Sequence, residues 1–448
     1  MAETSTFPTT LDSFTTIPAG TTALGTVHVT THEKVKAALE AIEANLGVGA
    51  HIDPTRFAFA SVKERLDRGH LPCYNVGNAG MIPDDTSTAA ASTNVAVILY
   101  VAAYLSSIGG GIIYIPNNKY YTNAAIPIPD DVSIIGESLN AELSATHTTG
   151  AVLQFVGTSS AVRRDRVQVA NLKIGGASGG TNSRIGIQCQ YAQKIDLAHV
   201  EFWSTAIALS GLDWWDSTLY DIRFDQCSTT DGTNTAAVYL EANSASSTDS
   251  NTLRFVNCTW ENCFERDLYM VALGSGAKRP NKIRFYGCKW ECGGSGFLKG
   301  DRLVISGVSY VTFTDCEWTI GEFYSGYTTP VNVVTVSGSR DVSFQNCRME
   351  GAPVASSTVA RFLYLNGSSS GNYHITVNGV GFFASTNNNP TVAAIEWAGT
   401  NDDSDDQNIA YSYIASGTPV LRVGAPSSPS ENTVLTLGDL IALDAIFN

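Results

Sequence analysis

Three acids and two tryptophans carry the chemistry this chain could perform. Asp213-Trp214-Trp215-Asp216 sets two carboxylates around two large rings, and Glu241 lies in the next apolar segment downstream. Glycoside hydrolysis uses a carboxylate pair, about 5 to 5.5 Å apart for retention of configuration and about 6.5 to 9.5 Å for inversion. Flat apolar rings suit the faces of sugars. Asp213, Asp216 and Glu241 are therefore the candidate catalytic acids, and Trp214, Trp215, Tyr239 and Asp267 the candidate substrate contacts. The competing reading has Trp214 and Trp215 closing an apolar edge while the acids are only solvated.

Other charged groups are weaker candidates. Glu261, Glu291 and Glu350 recur too regularly for a catalytic pair and read as a solvated corner of a repeating structure. Glu265-Arg266-Asp267 precedes a strand-like segment and suits a surface ion pair. β-Elimination would need a basic residue or bound Ca²⁺. Lys278-Arg279 lies in a Gly-rich turn, and the Asp402 to Asp406 run lacks the sixth-position Gly and closing Glu of an EF-hand. No zinc spacing, phosphate-cradling loop or nucleophilic triad stands out among the seven His, and no cofactor is expected.

A repeat must position these residues. Phe255-Val-Asn-Cys-Thr-Trp260 returns as Phe285, Cys288 and Trp290, as Phe313, Cys316 and Trp318, and as Phe344, Cys347 and Met349. Weaker copies include Val169 with Leu172, Leu197 with Val200, Phe224 with Cys227, and Val377 with Val380. The middle positions 172, 200, 227, 258, 288, 316, 347 and 380 are 27 to 33 residues apart, a period of solenoids and propellers. Three short strands per unit and a polar or Gly corner residue (Asn171, Gln226, Asn257, Gly287, Asp315, Asn346) favour an all-β, right-handed parallel β-helix. A propeller blade needs about 40 residues and hairpin turns. Equivalent residues of successive coils then stack ~4.8 Å apart. The Cys and Trp series become inner columns, so the five cysteines at 227, 258, 288, 316 and 347 read as packing thiols rather than disulfides. In the same frame Val238 and Leu240 point inward, Glu241 points outward, and stacking brings Glu241 beside the root of an Asp213 loop.

The flanks are different in character. Residues 1–74 read as a short helical adaptor: Thr30 with Glu33 forms a capping box, and Val35, Leu39, Ile42 and Leu46 form a coiled-coil-like stripe. A helix over Ser92 to Ser107 is placed to cap the β-helix of residues 75–400, and its apolar run, Val95 to Ile108, is too short to span a bilayer. Beyond residue 400 the repeat dissolves into a tail, 401–448, expected to cap the coil or knit subunits together. The opening residues show no signal-peptide pattern. Lys and Arg number 27 against 42 Asp and Glu, and a net charge of −15 argues against a nucleic-acid partner.

Asp84-Asp85-Thr86, an amphipathic helix, Gly109-Gly-Gly-Ile-Ile-Tyr-Ile-Pro116, Tyr120 and Val132-Ser-Ile-Ile-Gly-Glu together resemble the initial module of pectate-lyase-like β-helix proteins, above all bacteriophage tailspikes. Leu11 to Gly49 looks like the N-terminal part of phage minor tail proteins. The resemblance implies a homotrimeric virion protein, attached to the phage tail or baseplate by its N-terminus and locked by a C-terminal trimerisation region. It also implies binding of host surface polysaccharide outside the cell, with no membrane partner. Whether such a protein hydrolyses the glycan, cleaves it as a lyase, or only adheres to it stays open at this level.

Overall fold

The strands owe their form to alternation: an apolar residue at every second position buries one face, and the pleat turns the next side chain outward. Gly111–Ile115, Val132–Gly136 and Asn281–Tyr286 each follow this rhythm, with Ile113, Ile134, Ile283 and Phe285 wholly buried. The computed structural model describes residues 72–176, 183–228, 236–243, 249–273, 278–292, 301–320, 331–351, 360–366, 372–384, 392–398, 410–416, 420–423 and 433–435. Of the adaptor expected over residues 1–74, residues 1–71 lie outside them, as does Asp402 to Asp406.

Residues 74–448 form one compact unit in which strands stack in parallel, coil upon coil, as a parallel β-helix. Three ladders share each coil. The first runs through Thr149–Val156, residues 183–190 and 207–212, Val238–Asn243, Leu268–Leu273 and Leu303–Ser306. The second contains residues 192–198 and 214–220, Asn251–Val256, Asn281–Tyr286, Ser309–Thr314 and Arg340–Gln345. The third contains Asn118–Thr122, Ala141–Ala145, residues 201–203, Arg223–Asp225, Thr259–Glu261, Lys289–Cys292 and Glu317–Ile320.

Helix α1, Thr88–Ser107, covers the N-terminal coil. It starts four residues earlier than the sequence suggests, because the Ser87 hydroxyl caps it by accepting from the Ala90 N–H. By length and composition its 20 residues could cross a membrane, but the stripe Val95, Ile98, Val101 and Leu105 is spent on the first coil. Buried Asn94 is fully used: it accepts from Ile82 N–H and donates to Ile82 O and Tyr121 O. At the other end the coils continue past residue 400. Ala410–Ser416 pairs in parallel with Tyr373–Ala384, and Val420–Val423 with Val392–Ala398. One antiparallel pairing, Thr433–Leu435 on Val420–Val423, follows. The acidic insertion at 401–406 hides this continuation in the sequence, since it interrupts the period without ending the stack.

The inner columns are as expected, with one slip. Phe255, Phe285 and Phe313 stack with ring centroids 4.7 Å apart, and Trp260, Trp290 and Trp318 likewise. The described cysteines are free thiols. Cys258, Cys288, Cys316 and Cys347 each donate to a carbonyl of the preceding coil, that of Leu219, Phe255, Phe285 and Phe313 respectively. Burial pushes the Cys288 thiol well above its ordinary value, which leaves it unreactive.

Cys227 is not in this column. Arg223 stands between Glu201 and Thr259, which sets Ile222 between Val200 and Cys258. Phe224 therefore belongs to the tryptophan column, stacked 4.7 Å from Trp260. The true copy in this coil is Leu219, Ile222 and Phe224; Cys227 and Cys263 form a second, shorter thiol pair nearby. Successive coils are thus 22 and 36 residues long around Ile222 rather than near-uniform.

From Asn171 to Gly379 the corner before the third ladder takes left-handed backbone. Asn171, Asp221, Asn257, Asp315 and Asn346 have φ of 51 to 53°, and Gly287 and Gly379 occupy equivalent places at 58 and 65°. Asn and Asp tolerate this region, whereas a β-branched residue does not. Asn257→Val is expected to cost about 1–2 kcal/mol and Asn257→Gly much less, which thermal and chemical unfolding of the two variants measures directly.

Candidate functional site

On Val238–Asn243 the buried positions are Val238, Leu240 and Ala242, so Tyr239 and Glu241 face outward, as the alternation predicts. Register sets Tyr239 between Ser210 and Tyr269, and Glu241 between Leu212 and Val271. The Tyr239 hydroxyl donates to Glu241 Oε2 at 2.8 Å. Burial, then this bond, raises the Tyr239 pKa, so the phenol stays a donor. Its ring lies 5.6 Å from that of Tyr269, over which the Arg266 guanidinium sits at 5.2 Å. Further along the same outward column Arg361 covers Tyr364 at 4.5 Å. The face offers half-buried rings, cations over two of them and the outward carboxylate of Glu241.

The Asp213 segment is no loop. One strand, Ile207–Tyr220, runs from the first ladder into the second and bends at Asp213, whose φ is 59°. Leu209 and Gly211 point inward, and the same parity turns Asp213 inward, where it is wholly buried. Arg163 closes on it, with Nη2 at 2.9 and 2.8 Å from the two carboxylate oxygens and Nη1 at 3.0 Å from the Asp213 carbonyl. Burial lifts the Asp213 carboxyl above its usual range while Arg163 pulls it back. The same guanidinium stacks 3.6 Å above Trp215, whose indole N–H donates to Asp249 O. Trp214 is fully buried, with Nε1 donating to Ser217 Oγ at 2.7 Å.

The expected group is therefore divided. Glu241 does stand beside Leu212, next to Asp213, but the Asp213 carboxylate is sequestered by Arg163, and Trp214 is core rather than a sugar platform. Trp215 is half-buried under Arg163. Asp216 is exposed, around the bend on the second ladder, with φ 48°. Asp267 is 1% exposed and holds Arg302 at 2.6 and 2.9 Å, so it is a buried strut and not a substrate contact. Burial pushes its carboxyl up to about 6 against the pull of Arg302. Of the original set, Tyr239 and Glu241 form the outward-facing unit.

Sequence reasoning missed a second charged array. Glu261 ends its strand, just before the turn at Asn262, and Glu291 and Glu350 stand next to last in theirs, all on the third ladder. Beside them runs Lys119, Glu142, Lys173, Glu201 and Arg223 in one outward column, with Lys119–Glu142 at 2.9 Å and Lys173–Glu201 at 2.6 Å. Arg223 reaches Glu201, Asp225 and Glu261 at 3.7, 3.6 and 2.6 Å. Arg348 likewise holds Glu350 at 2.6 Å. Correct placement of Ile222 would have revealed this array, because it aligns Arg223 with Glu201 and Asp225 with Glu261. Arg279, half of the alternative lyase base, donates to Gly338 O. Among the described residues no cluster of three or more His, Cys, Asp or Glu is arranged to hold a metal ion.

Neither a family model nor a curated protein matches the chain. Among solved structures, the A-module of the mannuronan C-5 epimerase AlgE4 from Azotobacter vinelandii aligns over 81% of this chain and 100% of its own, with a TM-score of 0.52 and 12% identity. The ORF18 protein of Geobacillus virus E2 aligns over 73% of this chain with a TM-score of 0.48 and 16% identity, and the chain spans 63% of that protein. A tailspike of E. coli bacteriophage HK620, solved with a hexasaccharide, aligns over 86% of this chain and 72% of its own, with a TM-score of 0.45 and 14% identity. The likeness to the AlgE4 module establishes the parallel β-helix architecture and leaves the chemistry to the residues described above.

Two outcomes follow from the ion pairs. Arg163→Met leaves a buried carboxylate alone and should cost about 3–5 kcal/mol, read as a lowered melting temperature that Arg163→Met with Asp213→Asn partly restores. Asp225 is raised by burial first, with Glu261 and Glu201 adding and Arg223 opposing. A raised carboxyl binds its proton more readily in the folded state, so its stabilising share is full below the unfolded value and lost as pH rises through the folded one. Asp225→Asn should therefore raise the melting temperature at about pH 8 and change it little near pH 4; a gain that is larger at low pH would contradict the assignment.

Proposed function

We propose that this chain is a phage receptor-binding protein of tailspike type, which holds host surface polysaccharide on the first ladder. The observation that carries the reading is the Tyr239–Glu241 unit: an outward carboxylate oriented by a phenol, with Tyr269 one coil away and Arg266 over that ring. Sugar rings pack on half-buried tyrosine faces, and their hydroxyls pair with fixed carboxylate and guanidinium groups. The resemblance of the segment from Asp84 to Glu137 to the initial module of tailspikes supports the same class. In this reading the N-terminal adaptor attaches the protein to the phage tail or baseplate, and three copies assemble through the C-terminal region.

Cleavage of the bound glycan is the second reading, favoured by the oriented Glu241 carboxylate. Glu241 then serves as the acid or base at the scissile bond, and Asp216 is the remaining exposed carboxylate of the original group. Glycosidic hydrolysis yields new reducing ends; β-elimination yields unsaturated products instead.

Incubating the full chain with purified host capsule or cell-wall polysaccharide tests both. Tyr269→Ala and Tyr239→Phe should weaken binding, each by roughly tenfold or less, about the scale of one ring or one hydrogen bond. Glu241→Gln should abolish product release with an unchanged melting curve. Full retention of binding in the tyrosine variants would remove the first ladder as the glycan face, and unchanged turnover in Glu241→Gln would remove the catalytic assignment.

A further inference from the structure

The second ladder carries a different surface. Its strands Asn251–Val256, Asn281–Tyr286 and Ser309–Thr314 bury Leu253, Phe255, Ile283, Phe285, Val311 and Phe313, and turn their other positions outward. Arg254, Lys282 and Arg284 are among the outward residues, and all three are exposed. On the third ladder cations stand against acids; among the described residues none of these three forms an ion pair. No residue of the three strands is acidic. Asp196, in the same outward column two coils before Arg254, accepts from the Thr218 N–H at 2.7 Å and feels the charge of Arg254 without an ion-pair contact. Two rings flank the cations: Tyr286 is 37% and Tyr310 51% exposed.

Register adds a second, independent observation. Arg254 lies directly opposite Arg284 on the neighbouring strand. Like charges directly opposite across a ladder destabilise it, at a separation of ~4.8 Å. An anion bridging both guanidinium groups removes that repulsion and gains two charge-assisted hydrogen bonds. In a chain of net charge −15, a concentration of unpaired cations beside exposed rings is a local reversal of the prevailing field.

We propose that this strip, centred on Arg254, Lys282, Arg284 and Tyr286, binds an anionic polysaccharide through its carboxylates, on a face separate from that of Tyr239 and Glu241. A polysaccharide supplies both partners the strip needs, carboxylates for the guanidinium groups and flat apolar ring faces for the tyrosines. The choice of a glycan over other polyanions rests on the reading of the chain as a polysaccharide binder.

The full chain is titrated with a labelled polyuronate and with the same polymer after carboxyl reduction. Binding of the polyuronate alone, weakening from roughly 0.05 M to roughly 0.5 M salt, is expected. Arg254→Ser with Arg284→Ser should lower that affinity at least about tenfold. Should the double variant lose its folded melting transition, Lys282→Ser carries the same test, with a smaller loss in the same direction. Equal binding of the carboxyl-reduced polymer, or unchanged affinity in folded variants, overturns the proposal. So does a lower oligomeric mass of the double variant in light scattering, which would assign the strip to contacts between copies, or equal competition by single-stranded DNA. Retained polyuronate binding in a protein that neither binds nor cleaves host glycan through Tyr239 and Glu241 would count against that face alone.

Discussion

One constraint governs the solenoid: each coil must lay its main-chain hydrogen bonds on the last in parallel register, so equivalent residues stand ~4.8 Å apart. A column can then hold only side chains that tolerate their own copies. Flat rings do, and the centroid spacing of 4.7 Å in the Phe and Trp columns is the strand spacing expressed in side chains. Thiols do, because each finds a carbonyl of the previous coil. Charges do so most readily where sign alternates, as in the outward series Lys119, Glu142, Lys173, Glu201.

The same constraint decides which acids are available for chemistry. Where the chain bends between ladders, inward parity carries some polar residues into the interior, and a buried carboxylate persists only with a cation. Asp213 with Arg163 and Asp267 with Arg302 are two such solutions, each fastening one coil to another. Such clamps consume both the acid and the guanidinium. Carboxylates at outward positions within strands escape this fate, which is why Glu241 remains oriented toward the surface while Asp213, next to its register partner Leu212, does not.

Period, inward and outward parity, and most of the polar or Gly corners were legible from the sequence, because each rests on contacts local to one coil. Register was less so. Both Phe224 with Cys227 and Leu219 with Ile222 and Phe224 satisfy the same short pattern, and only pairing with coils of 22 and 36 residues separates them. The Asp213 ion pair was beyond local reading, since Arg163 lies 50 residues upstream. Its burial was not: continuing the alternation Leu209, Gly211, Asp213 turns the carboxylate inward, but two adjacent tryptophans and two aspartates imitate an exposed loop.

The three ladders thus resolve repeated charge in three ways. The third neutralises its own, the first presents a carboxylate held by a phenol, and the second leaves like charges opposed. For a polymeric ligand lying along the axis, a column offers the same contact at successive coils, so weak contacts add through effective concentration rather than through any one strong bond. Both faces keep register, the first ladder from Val238 to Ser306 and the second from Asn251 to Thr314. What differs is the column: the first sets Tyr239 beside Tyr269 and the second Arg254 beside Arg284, so rings adjoin on one face and cations on the other.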